Sequence, residues 1–325
     1  MSETGQSSLG PSEVVLAEVV RSGFVEGRHR GSLVVLGEDG SVAFAAGDVT
    51  RPFFPRSANK PLQAAGMLRA GLRLDGELLA LAAASHSGEG FHLDGVRRIL
   101  TGAGLEPSML QTPPGLPLGE EEMHRHLRAG GHPQPIIADC SGKHAAMLAT
   151  CAERGWSYES YLEPGHPLQR SVREAVEELA GERVAATGVD GCGAPLYAIS
   201  LIGLARAFRA HVLAPDGTAE RRVADAMRAH PEYVGGTGRS ETDLMRAVPG
   251  LLAKPGAEAV YAVALADGRA VALKIEDGNR RACGPVIAAA LRRLGLEAPV
   301  LDEIGLVPVL GGGRSVGEVR ATPTF

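Results

Sequence analysis

The chain has 325 residues, 44% hydrophobic and 22% charged, with a formal net charge of −5 at pH 7 and a mean hydropathy of +0.01. This is a globular composition, long enough for one large domain with a substantial core, and its negative balance argues against nucleic acid as the main partner. No apolar run reaches the roughly 18 residues that cross a bilayer, so a membrane partner is not expected. Residues 1–12 lack the basic and apolar regions of a secretory signal. Four cysteines in a chain of this length do not make a disulfide framework. A cytoplasmic protein with reduced thiols is expected.

In chain order, residues 1–12 are polar and Gly/Ser-rich and read as a disordered N-terminus, with a single domain over 13–325. Residues 14–20 and 32–36 read as strands, Gly37-Glu38-Asp39-Gly40 as a turn, and 42–46 as the next strand of an antiparallel meander. Helical periodicity follows, with Leu62, Ala65, Met67 and Leu68 on one side. Residues 76–84 are almost wholly apolar, the mark of a buried helix. A helix over 92–102 leads into a Pro/Gly-rich stretch, 106–135, that reads as irregular surface wrapping. Further helices are predicted over 145–153, 168–179, 196–207 and 218–229, and a loop over 231–239. Alternating strands over 259–265 and 270–275 meet at Asp267-Gly268, and an amphipathic helix over 280–294 precedes a last apolar stretch, 304–310. Strands at both ends around a helical region of roughly 61–250 predict an α+β fold with one mainly antiparallel sheet.

Ser57 and Lys60 are three residues apart, so a helix beginning near Ser57 places both on one face. A lysine amine activates a serine hydroxyl only as the free base, which requires burial or a second cation to lower a pKa of about 10.4. Arg56 and Lys254 are candidates for that cation. Alone, Lys60 is equally a solvated helix residue, and Ser85-His86-Ser87-Gly88-Glu89 is equally a helix C-cap. Lys254-Pro255-Gly256 precedes a strand and is similar to the Lys-Thr-Gly element of β-lactamases, with proline in the middle. Cys140-x-x-Lys143 and Asp190-x-Cys192 sit in glycine-flanked turns. Their spacing leaves two readings open, buried thiols packed as small hydrophobes or donors to a borderline metal. Cys151 and Cys283 read as core. His92, His124 and His126 read as solvent-facing, whereas His144 directly follows Lys143. Gly235-Gly236-Thr237-Gly238-Arg239 reads as a pocket loop presenting N–H groups to a carboxylate, or as a plain turn.

Taken together and in this order, Pro55-Arg56-Ser57-Ala58-Asn59-Lys60-Pro61-Leu62-Gln63, the Ser85–Glu89 run, Cys140-Ser141-Gly142-Lys143-His144, Asp190-Gly191-Cys192-Gly193-Ala194-Pro195, Gly235–Arg239 and Lys254-x-Gly256-Ala257-Glu258 resemble the asparaginase II family, the Rhizobium-type or class 3 L-asparaginases. The resemblance covers about residues 12–320. It implies a serine β-lactamase/glutaminase-like fold, a homodimer, and hydrolysis of L-asparagine to L-aspartate and ammonia. Carried over by motif, Ser57 and Lys60 form one serine–lysine pair, and Ser85 with Lys254 the other, with Lys274 competing for that last place. Cys140, Lys143 and Cys192 become zinc ligands beside Asp190, the zinc orienting substrate and not generating hydroxide. Ala259 stands where the family pattern has glycine.

The mechanism expected on this resemblance is acyl transfer, with Ser57 favoured as nucleophile. Arg56 or Arg239 would take the substrate α-carboxylate, Asp190 or Glu89 its α-ammonium, and His144 belongs to the same pocket. The alternatives are a glutaminase or another acyl-serine amidohydrolase, or a non-catalytic amino-acid or zinc binder. Penicillin chemistry is disfavoured because no Ser-Asp-Asn element and no export signal are found.

Overall fold

Runs of Val, Ala and Leu with period-2 alternation draw segments from both ends of the chain into one antiparallel sheet. The computed structural model describes residues 14–323, and the expectation for 1–12 lies outside them. The strands are β1 (Val14–Arg21), β2 (Phe24–Leu36), β3 (Val42–Ala46), β4 (Ala186–Val189), β5 (Pro195–Ala198), β6 (Leu252–Gly256), β7 (Val260–Ala264), β8 (Ala270–Ile275), β9 (Val307–Gly311) and β10 (Arg314–Ala321). The main sheet runs β6-β7-β8-β2-β1-β10-β9, with β3 also on β2, and β4-β5 form a separate hairpin. Every residue of β7 is buried, as expected of a strand covered on both faces. The fold is α+β, as the pattern predicted.

The helices are α1 (Lys60–Arg69), α2 (Gly76–Ala82), α3 (Gly90–Gly102), α4 (Glu120–Arg128), α5 (Ser141–Arg154), α6 (Pro167–Ala180), α7 (Leu201–Leu213), α8 (Ala219–Ala229), α9 (Pro231–Val234), α10 (Ser240–Ala247), α11 (Cys283–Arg293) and α12 (Val300–Gly305). Helices α7 and α11 pack on the sheet, while α1 packs on α6 and α8. Sheet and helices share one aliphatic core rich in Ala, Leu and Val. None of these helices is long and apolar enough to cross a membrane.

Three local differences from the sequence reading matter for the site. The stretch expected to be irregular contains α4, a surface helix with three glutamates in its first turn and Arg125, His126 and Arg128 in its last, an arrangement that suits the helix dipole. The helix expected from 196 is first the strand β5. Phe53 bridges to Ile199 just beyond it, and α7 starts only at Leu201, where the Ser200 hydroxyl caps the Gly203 N–H. Helix α10, absent from the sequence reading, follows the glycine-rich loop. The β4–β5 hairpin thereby carries Asp190 and Cys192 in its turn, next to the segment leading to Ser57.

Candidate active site

The segment before Ser57 is held by a reciprocal backbone pair between Phe53 and Ile199, at 2.9 and 3.1 Å. Arg56 then turns with φ +51, a conformation that costs an L-residue about 1–2 kcal/mol. It opens a 3₁₀ turn, Arg56–Asn59, that runs into α1 at Lys60 with Pro61 in the first turn, a place where a missing N–H costs nothing. Ser57 is half-buried and Lys60 is buried, and both line one cavity of about 500 Å³.

The lysines meet on the other serine. Lys60 Nζ donates to Ala84 O at 2.6 Å and to Ser85 Oγ at 2.9 Å, and lies 3.7 Å from Asp139 Oδ2. Lys254 Nζ is 3.0 Å from Ser85 Oγ and 3.0 Å from its neighbouring carbonyl, Pro255 O. Ser85 thus bridges two amines, while among the described residues no side-chain hydrogen bond reaches the Ser57 hydroxyl. Ser85 and Lys254 are buried and lie outside the cavity lining, whereas Ser57 is part of it. The Ser85 segment is no helix cap. Helix α2 ends at Ala82, and Ser85 N and Ser87 N donate to Val234 O and Gly235 O. Lys274 lies elsewhere, in a separate cavity with Asp48, Arg51 and Glu276.

Burial first, and then the charge of Lys60, hold the Lys254 amine well below its usual range; Glu241 and Asp139 work in the opposite sense. Burial opposes ionisation of Asp139, but Lys60 above all keeps its carboxyl below the ordinary range. Lys254 is therefore held toward the neutral form that can accept a proton.

Beside them lie the thiols. Cys140 precedes α5, which carries Lys143 and His144 in its first turn. One ligating atom each from Cys140, His144 and Cys192 lie within 4.8 Å of one another, all three residues buried. Lys143 Nζ donates to Cys192 Sγ at 3.2 Å, and Thr112 Oγ1 is 3.3 Å from Cys140 Sγ. The hydrogen bond with Cys140 and the charge of Lys143 outweigh burial and push the Cys192 thiol far below its usual range, while Cys140 is pushed far above it. The two thiols titrate as a coupled pair, and the Lys143 ammonium beside them favours one thiolate. His144 Nδ1 is 2.8 Å from Tyr161 OH, and its buried Nε2 has no hydrogen-bond partner among the described residues. Two sulfurs, an amine and an orphaned imidazole nitrogen fit a soft or borderline divalent ion. On the same rim Arg56 Nε donates to Asp190 Oδ1 at 2.8 Å, which also accepts from Gly191 N at 2.9 Å.

The profile of one family, L-asparaginase II, matches residues 17–321. The chain belongs to the L-asparaginase II family. No curated protein matches it. Among solved structures it is similar to a β-lactamase from Mycobacterium bovis, at 16% identity and a TM-score of 0.45, over 85% of this chain and 95% of that one. It is also similar to Mglu in its native form, at 15% identity and a TM-score of 0.44, over 87% of this chain and 69% of the other. A third is EstCE1, a hydrolase with promiscuous acyltransferase activity, at 12% identity and a TM-score of 0.42, over 85% and 93% of the two chains. Membership makes the protein an amidohydrolase acting on a small molecule.

This L-asparaginase II chain brings Arg56, Ser57, Lys60, Cys140, Asp190 and Cys192 to one cavity, with Lys143, His144, Ser85 and Lys254 packed behind it. Glu89 and Arg239 line a neighbouring cavity instead. The Glu89 carboxylate accepts from Ser87 Oγ, Thr237 N and Thr237 Oγ1, at 2.7 to 2.8 Å, so the glycine-rich loop does offer an N–H to a carboxylate, but an internal one. Arg239 pairs with Glu241 at 3.3 Å. His92, expected to face solvent, is buried, with Nε2 2.8 Å from Glu232 O. The sequence reading passed over Asp139, which touches Lys60, and Glu241, a fully buried acid whose charge acts on Lys254. It also passed over the four-residue spacing of Cys140 and His144, which places both on one helical face.

Proposed function

We propose that the protein hydrolyses L-asparagine to L-aspartate and ammonia through an acyl-enzyme on Ser57. The observation that carries this reading is the placement of Ser57 and Lys60 on one cavity, with Lys60 bonded to Ser85 and Ser85 to Lys254 behind it. Ser57 Oγ attacks the side-chain carbonyl carbon, and the C–O bond forms as its proton passes to the Lys60 end of the relay. Ser85 and Lys254 buffer that proton, which returns to the departing nitrogen as the C–N bond breaks. Water then cleaves the ester, giving aspartate and restoring the serine.

N–H groups at the start of the Arg56–Asn59 turn have no acceptor inside it and lie where the oxyanion develops; one such donor is worth about 2.7–4 kcal/mol. The paired Arg56 and Asp190 complement a zwitterion, guanidinium to α-carboxylate and carboxylate to α-ammonium. Zinc held by Cys140, Lys143 and Cys192 would supply a fixed positive charge that orients the substrate; ligation requires Lys143 to give up its proton. The family resemblance further supports a homodimer, which sedimentation analysis would check.

Ammonia release from asparagine by wild type, Ser57→Ala and Lys254→Ala, each with and without chelator, tests the reading. Ser57→Ala is expected to lose at least about a thousandfold in kcat. Near wild-type turnover by Ser57→Ala, together with collapse on chelation, would show a metal-dependent hydrolysis instead. Glutamine assayed alongside would reveal a glutaminase by its higher kcat/KM.

A further inference from the structure

The cavity beside Ser57 has two unlike linings. Arg56, Ser57, Lys60 and Asp190 give it a charged and polar set that suits the carboxylate, ammonium and amide of a free amino-acid amide. The same cavity is lined by a strap, residues 112–118, contributing Pro113, Pro114, Leu116, Pro117 and Leu118, with Met123 from the first half of α4. Leu118 is 41% exposed, and Pro113 and Pro114 are exposed as well. The volume, about 500 Å³, lies in the range of roughly 300–1,000 Å³ usual for ligands of drug size. Exposed apolar side chains that continue a reaction centre mark a ligand surface.

The strap is fixed at both ends. Thr112 Oγ1 contacts Cys140 Sγ at 3.3 Å, and Gly119 N donates to Ser87 O at 2.8 Å. A Cβ on Gly88 would stand 2.9 Å from Pro117 Cβ, so the close approach of Pro117 to this segment requires glycine there. The prolines have a locked φ and hold the wall in place before any ligand arrives. Lys60 Nζ, which returns the proton to the departing nitrogen, lies against Ala84 O and Ser85 Oγ. The nitrogen therefore leaves within the cavity that Lys60 shares with Pro117, Leu118 and Met123, with Pro117 lying against Gly88 of the Ser85 segment.

We infer that this wall is a leaving-group subsite, and that the enzyme also hydrolyses β-amides of aspartate bearing an apolar N-substituent. The inference rests on the reading of Ser57 as acylated by an aspartyl amide. The bonds are those already described. The acyl C–N bond breaks, the serine ester forms, the relayed proton leaves on the primary amine, and water releases aspartate.

The test is a series of N4-alkyl asparagines, methyl to butyl, alongside asparagine. Within the series the leaving amines have nearly constant basicity, so kcat/KM reports the wall. It is expected to rise about fourfold per added methylene, the worth of burying one. In Leu118→Ser and Met123→Ser the butyl-to-methyl ratio is expected to fall severalfold, and a ratio is insensitive to the fraction of folded enzyme. Turnover of asparagine with a flat or falling alkyl series overturns the subsite and leaves the asparaginase reading standing. Turnover of the alkyl amides alone supports the subsite and removes asparagine as the substrate. Turnover of neither overturns both.

Discussion

Lys254 sits at the back of the site, where burial and neighbouring charges set its protonation. It is faced by Lys60, Glu241, Arg239 and Asp139, and burial and Lys60 together favour the neutral amine, while Glu241 favours the ammonium. Glu241 is itself kept ionised against burial, chiefly by Arg239. Replacing Glu241 by Gln removes the negative charge and lets the Lys254 amine titrate at still lower pH. The acid limb of the kcat/KM profile is then expected to move to lower pH, and an unmoved limb would deny Glu241 this positioning role. Lys254→Ala is expected to lower kcat by about 10²–10⁴, the usual range for a general acid–base group. A loss confined to KM in steady-state assays would exclude Lys254 from proton transfer.

At the scale of elements, the hairpin between β1 and β2 turns through Ser22 and Gly23, with φ of +49 and +81. Positive φ at both central positions is what a type I′ turn requires, and Asn-Gly satisfies it better than Ser-Gly. Ser22 is exposed, so Ser22→Asn is expected to stabilise the protein by a few tenths to about 1 kcal/mol, read as a higher midpoint in urea. The opposite shift would mean that the turn is held by its surroundings. Local rules of this kind made much of the fold legible: Gly37-Glu38-Asp39-Gly40, the apolar run of α2 and the apolar runs of β7 and β8 on either side of Asp267-Gly268 need only neighbours in sequence. Ala259, where glycine was expected, has φ +53, which explains the expectation and shows that the fold tolerates the methyl. The β4–β5 hairpin escaped because Leu196, Tyr197 and Ala198 are buried on both sides, and a short apolar run looks the same in a strand and a helix. The site was legible as to residue types but not as to partners. Spacing suggests Ser57 with Lys60, yet the bond from Lys60 goes to Ser85, a choice made by tertiary packing between α1, the Ala84–Ser85 segment and β6.

Across the whole molecule, a core poor in aromatic residues also buries several imidazoles, among them His86, His92, His144 and His211. Burial pushes the His86 imidazole down from 6.5 to about 3, and His92, His144 and His211 are pushed down by the same cause. Between those two pH values the unfolded chain binds a proton at His86 that the folded chain refuses. Stability therefore falls as pH is lowered from 6.5 toward 3, by about 1.4 kcal/mol per pH unit from this group. His86→Asn is expected to flatten the dependence of unfolding free energy on pH by about that amount, whatever it does to the absolute value. Denaturant titrations at several pH values measure the slope directly, and an unchanged slope would show that His86 accepts its proton in the folded state.

The partnering of β1 with β10 has a kinetic side. Ala17 lies opposite Ala321, and Arg21 opposite Gly317, so two segments some three hundred residues apart must find each other before the sheet is continuous. Loop closure over such a span is slow, and until it happens β1 offers an unpaired edge to any passing strand. Refolding at high protein concentration should thus lose material to aggregation, and a soluble peptide with the β10 sequence should rescue yield by shielding that edge.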